Sequence, residues 1–128
     1  MPGTENFGPI RVNPRGLARL LKRPADVVVL YFAPWCGHCK AFKPEYQAFA
    51  EQVHKTIPHV LVACVDMDKY GSEVLSAPIN PAWNGTIKED VQGFPTVIFY
   101  THENKRFMYE GARQAQDMVD TASALYHF

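Results

Sequence analysis

Cys36 and Cys39 stand three positions apart in PWCGHCK, residues 34 to 40, with Gly37 and His38 between them. The only other cysteine, Cys64, is distant in sequence. Two thiols at this spacing can form a permanent staple, half of a metal site, or a centre that exchanges electrons with other disulfides. A staple here would close a very small loop and remove little entropy from the unfolded chain. A zinc site takes about four ligands, with cysteines usually entering as two pairs, and Cys64 is single. No metal is expected. Exchange chemistry suits the position better. A helix start favours an anion, and the thiolate is the species that attacks a disulfide. Cys39, one turn on and on the same side, can then attack a mixed disulfide formed at Cys36. A protonated His38 would stabilise the Cys36 thiolate and make the disulfide form more oxidising.

The elements that must hold this pair are legible in the pattern of apolar residues. DVVVLYFA, residues 26–33, is nearly continuous in apolar residues, as in a strand covered on both faces. Before it, residues 10–12 suggest a short strand, and Asn13-Pro14 caps a helix carrying Leu17, Leu20 and Leu21 on one face and ending near Arg23-Pro24. After it, the spacing of Phe42, Tyr46, Phe49 and Val53 predicts a one-sided helix over 37–55, with Pro44 kinking it. VLVACVD, residues 60–66, reads as a second buried strand. Residues 67–90 read as an irregular, extended connector with a helical turn at 72–75 and breakers at Pro78, Pro81 and Gly85. Strands over 96–101 and 106–109 flank a polar turn, and a helix over 113–125 turns Met118, Ala122 and Leu125 inward. The order predicts an α/β domain over 10–128, with a mixed sheet flanked by helices on both faces and a flexible segment at 1–9.

With the pair placed between a strand and a helix, the chain resembles the protein disulfide isomerase branch of the thioredoxin superfamily. The shared residues are YFAPWCGHCKAFKPEY at 31–46, Val65-Asp66, GFPT at 93–96 and YEGAR at 109–113. The resemblance covers most of residues 8–126 and implies a thioredoxin fold. It implies a catalytic set of Cys36, Gly37, His38, Cys39 and Arg113, the arginine swinging toward the site to promote ionisation of the second cysteine. It also implies that Pro95 is cis and packs against the cysteines, that the Phe94 backbone pairs with an extended substrate segment, and that Trp35 forms an exposed apolar lip. No cofactor is then needed beyond the Cys36–Cys39 redox-active disulfide.

Two positions depart from the family pattern. Where relatives carry a buried glutamate, this chain has Leu30, and where they carry its lysine partner, it has Cys64. Losing both members together leaves no uncompensated buried charge. By the resemblance, that carboxylate relays the proton of the second cysteine. The expectation is normal mixed-disulfide formation through Cys36 and slow resolution, aided by Arg113 or water. Cys64 itself reads as a small buried hydrophobe.

The bulk numbers exclude other classes. Thirteen basic and thirteen acidic residues cancel, so no net field recruits nucleic acid or an anionic membrane. The longest apolar run, residues 27–33, falls far short of the roughly 20 residues of a membrane span. The start MPGTENFGPI lacks the basic and apolar regions of a signal peptide. The resulting expectation is a monomeric thiol–disulfide oxidoreductase or isomerase domain, excised from a protein of the endoplasmic reticulum lumen. Its partners would be unfolded or cysteine-containing polypeptides and glutathione or another thiol–disulfide partner. Two rivals are a thioredoxin-like module of a larger sulfhydryl oxidase and a chaperone or adaptor that captures clients at Cys36. The extended connector at 67–90 reads as a tolerated surface insertion, with a contact surface formed by Trp83 and its neighbouring prolines as the alternative, and Asn84-Gly85-Thr86 is a glycosylation sequon that leans toward the secretory pathway.

Overall fold

Val27 to Tyr31 are five buried residues in succession, and a strand buried on both faces needs helices above and below it. The computed structural model, which describes residues 8–22, 25–76 and 87–126, supplies them. The strands are β1 (Ile10–Arg11), β2 (Val27–Phe32), β3 (Leu61–Asp66), β4 (Thr96–Tyr100) and β5 (Arg106–Met108). The helices are α1 (Pro14–Lys22), α2 (Gly37–Thr56), α3 (Met67–Ser76), α4 (Ile87–Asp90) and α5 (Ala115–Leu125). One mixed sheet runs β1-β3-β2-β4-β5. β1, β3 and β2 are parallel, whereas β4 and β5 are antiparallel to their neighbours.

Strand alternation divides the core between the two faces. Val28 and Leu30 of β2 pack with Phe42, Phe49 and Val53 of α2 and Met118 and Ala122 of α5. Val27, Val29 and Tyr31 pack with Leu17 and Leu21 of α1 and Met67 and Val74 of α3. Buried hydroxyls find backbone partners: Tyr46 donates to the Ala63 carbonyl at 2.7 Å and Tyr126 to the Tyr100 carbonyl at 2.8 Å.

Several boundaries differ from the sequence expectation, each for a local reason. The stretch expected to be irregular opens with a ten-residue helix, α3, because Asp66 Oδ1 accepts the backbone N–H groups of Asp68 and Lys69 at 3.0 and 3.1 Å. The helix expected over 37–55 is α2, which runs through Pro44 as expected and ends one residue later, at Thr56. α5 starts at Ala115, whose N–H donates to Glu45 Oε1 of α2 at 2.9 Å, leaving Arg113 outside the helix. Asn104 closes the β4–β5 turn at φ 60°, the left-handed conformation asparagine tolerates. The expectations for residues 1–7, Pro78, Pro81, Trp83 and the sequon at 84–86 lie outside the described residues.

At the end of β2 remote from the cysteines, Asp26 accepts the His102 backbone N–H at 2.8 Å. The same carboxylate faces His102 Nδ1 at 2.9 Å and His59 Nε2 at 3.2 Å. His54 and His59 have the H-x4-H spacing found at zinc sites. Yet Asp26 takes His59 Nε2, and among the described residues no three His, Cys, Asp or Glu side chains are grouped to hold a metal ion. The hydrogen bond and charge of Asp26 raise the His102 pKa above its ordinary value, with Glu103 adding to the effect. A raised folded pKa gives stability that is complete below the unfolded value of about 6.5 and is lost as pH climbs through the folded one. In chemical denaturation, the stability gap between wild type and Asp26→Asn should narrow as pH rises from about 5.5 to about 8.5. A gap constant with pH would refute the assignment.

Candidate active site

The loop after β2 turns sharply: the Cys36 N–H donates to the Ala33 carbonyl at 3.1 Å. Cys36 is thereby the N-cap of α2, extended at φ −77° and ψ 119°. Its Sγ accepts the Cys39 N–H at 3.3 Å, the role an N-cap oxygen usually fills. Sulfur placed there meets the positive end of a 20-residue helix. The thiol also faces the Phe94 carbonyl, donating to it at 3.7 Å. Phe94–Pro95 is the cis peptide bond that the resemblance implies. Phe94, one residue before that proline, makes the contact to Cys36.

The two thiols are driven apart in acidity. The Cys36 pKa is drawn down, chiefly by the hydrogen bond from the Cys39 side chain, then by the backbone N–H groups of Cys39 and His38 and the charge of Arg113. The Cys39 thiol is pushed up to about 11 by burial first and by Cys36 second, with Arg113 opposing. The two thiols are thus unequal, Cys36 the more acidic and Cys39 the one that keeps its proton.

The other sequence-selected residues take distinct places. Trp35 is 65% exposed and meets the Phe94 ring edge-on, with centroids 6.2 Å apart. Its indole Nε1–H donates to Asp68 Oδ1 at 2.8 Å. Gly37 opens α2 with free space where a side chain would stand. His38 is exposed. It reaches Cys36 through its backbone N–H. Arg113 is exposed just before α5 and acts on both cysteines through its charge. Leu30 and Cys64 are register partners on β2 and β3, both buried. Burial raises the Cys64 thiol, while the charges of Arg11 and Lys43 oppose that rise.

Sequence reasoning missed Asp68 and Glu45. Asp68 ties the tryptophan lip to α3, and Glu45 anchors the start of α5 next to Arg113. Asp66, ahead of α3, is a readable capping signal. A tryptophan partner 33 positions away is not readable.

The paired cysteines at a helix start beside a cis-proline loop invite comparison with known proteins. The thioredoxin family model matches residues 15–124. The chain belongs to the thioredoxin family. This thioredoxin domain is 35% identical over 95 residues to the protein disulfide-isomerase of Zea mays, covering 73% of the chain and 17% of that protein. It is 34% identical over 104 residues to protein disulfide-isomerase A3 of Gallus gallus, covering 78% of the chain and 17% of that protein. The chain thus spans less than a fifth of the length of these relatives. Among solved structures, the first thioredoxin domain of mouse protein disulfide-isomerase A4 superposes with a TM-score of 0.71 at 25% identity, over 94% of this chain and 76% of that one. The Trx4 domain of ERdj5 matches with a TM-score of 0.70 at 20% identity, over 92% of this chain and 95% of that one, and so shares the fold.

Proposed function

We propose that this domain is a thiol–disulfide oxidoreductase or isomerase acting on cysteine-containing polypeptides. The observation that carries the reading is the placement of Cys36 Sγ as the N-cap of α2, accepting the Cys39 N–H at 3.3 Å, which makes the two thiols unequal, Cys36 drawn toward the thiolate and Cys39 held protonated. The Cys36 thiolate attacks a substrate disulfide, so the Cys36–substrate bond forms while one substrate sulfur leaves as a thiolate. Cys39 then loses its proton and attacks Cys36, releasing the second substrate sulfur and leaving the Cys36–Cys39 disulfide. The dithiol is oxidised by two electrons and the substrate disulfide is reduced. The reverse sequence forms disulfides. The cysteine pair carries the electrons, with no organic cofactor or metal. Trp35, Phe94 and Pro95 form the substrate groove, supported by the exposed indole and by the Phe94 carbonyl at Cys36. Isomerase relatives support a place in the secretory pathway, with the endoplasmic reticulum lumen as the compartment. Glutathione or a similar thiol resets the pair.

The pH dependence of alkylation tests the pair directly. Cys36 should react with iodoacetamide with a midpoint below the roughly 8.5 of a free cysteine. Cys39 should stay protected until pH nears its value of about 11. Equal midpoints for the two thiols would reject the division of roles.

A further inference from the structure

A cleft of about 500 Å³ opens beside the cysteine pair. Cys39, Lys43 and Tyr46 line one wall. Their spacings of four and three place them along one face of α2, so Lys43 sits one turn beyond Cys39. Leu30 and Cys64 line the cleft from the sheet, and neither carries a formal charge at neutral pH. Arg11 of β1 and Asp66 at the end of β3 complete the charged lining with Lys40. Lys40 and Lys43 are exposed, so the cleft is open to water on the helix side. Cys36 is not part of the wall; it turns instead toward Phe94.

These groups do not act alike. Asp66 Oδ1 is engaged in capping α3, and its negative charge opposes a thiolate. Arg11 is the register partner of Cys64 on the neighbouring strand β1, so it stands at the sheet-side wall and not on the helix that carries Cys39. Lys40 is the next residue after Cys39, about 100° around the helix. Lys43 alone combines a positive charge with the helical face of Cys39, and its charge also acts, after that of Arg11, on Cys64 in the sheet-side wall.

We propose that this cleft is the route by which Cys39 loses its proton, and that Lys43 is a positioning charge that favours the Cys39 thiolate during resolution. The inference rests on the oxidoreductase reading. In the Cys36–substrate mixed disulfide, the Cys39 S–H bond breaks and its proton passes to water entering the cleft. The Cys39 thiolate attacks Cys36 Sγ, the Cys36–Cys39 bond forms, and the Cys36–substrate bond breaks. The substrate sulfur leaves with the electron pair as a thiolate and takes up a proton from water. Arg113, which acts on both cysteines, cannot separate the two steps. Lys43, placed on the cleft that Cys36 does not line, can.

The test is a charge series at one exposed position of the full chain: Lys43→Arg, Lys43→Gln and Lys43→Glu. Oxidised glutathione forms the mixed disulfide at Cys36, and quenched-flow mass spectrometry follows its formation and its resolution across pH. Arginine should preserve the resolution rate at neutral pH, glutamine should slow it several-fold, and glutamate by about tenfold, with the resolution midpoint moving up by about one pH unit. The alkylation midpoint of Cys36 should stay where it is throughout. Identical resolution profiles across the series overturn the inference and leave the oxidoreductase reading standing. A Cys36 midpoint that moves as far as the resolution midpoint also overturns it. Failure of the wild type to form any mixed disulfide overturns the oxidoreductase reading, and this inference with it.

Discussion

Cys36→Ser should abolish mixed-disulfide formation, whereas Cys39→Ser should complete the first step and stop at the second. The asymmetry follows from where each sulfur sits. Cys36 Sγ occupies the N-cap of α2, held by the Cys39 N–H at 3.3 Å and drawn toward the thiolate by its surroundings. A serine hydroxyl there would keep the capping bond but stay protonated at neutral pH, so the nucleophile is removed while the fold survives. Loss of the nucleophile costs at least about a thousandfold in rate. Cys39 is buried and its thiol is raised to about 11, so it cannot substitute as the first attacker. Its serine variant leaves Cys36 joined to the substrate. Intact-mass analysis after mixing with a peptide disulfide reads both results, as an absent adduct for one variant and a persistent adduct for the other. Turnover by Cys36→Ser at more than a few per cent of wild type would place the nucleophile elsewhere.

The largest stability effect is expected at Phe49. Its side chain is fully buried, its ring stacks on Phe99 at 6.2 Å with 3° between planes, and it tilts against Tyr46 at 5.7 Å. Phe49 therefore joins α2 to the sheet at the heart of the core shared with α5. Phe49→Ala removes most of an aromatic ring from a packed interior and leaves a cavity, at a cost of about 3–5 kcal/mol. Against a typical domain stability of about 5–15 kcal/mol, that is a large fraction. Urea unfolding should show a lower midpoint with an unchanged slope. A loss below about 1 kcal/mol would mean that the site collapses around the gap or that the ring is not packed as described. The loss bears on function because α2 carries the cysteines at its first turn.

Local patterns made most of this architecture legible. The continuous apolar run of β2, the four-three-four stripe of α2 and the Asn13 cap of α1 are signals written within a few residues of where they act, so they survive without tertiary context. The resemblance carried by PWCGHCK and GFPT located both halves of the site, including the cis bond before Pro95. α3 was legible only in part. The breakers Pro78, Pro81 and Gly85 made the segment read as irregular and hid a helix that Asp66 caps through two backbone N–H groups.

The sequence alone determined the chemistry: two thiols in C-x-x-C spacing at a helix start, with no net charge to suggest an anionic partner. Tertiary structure decided how those thiols differ. The Phe94 carbonyl meets Cys36 from 58 positions away, Asp68 holds Trp35 from 33, and Glu45 sets the start of α5 from 70. Only folding brought Lys43, Leu30 and Cys64 to one cleft beside Cys39. Spacing along the chain can place a side chain on a helix face, but burial and field at a sulfur depend on every element packed around it.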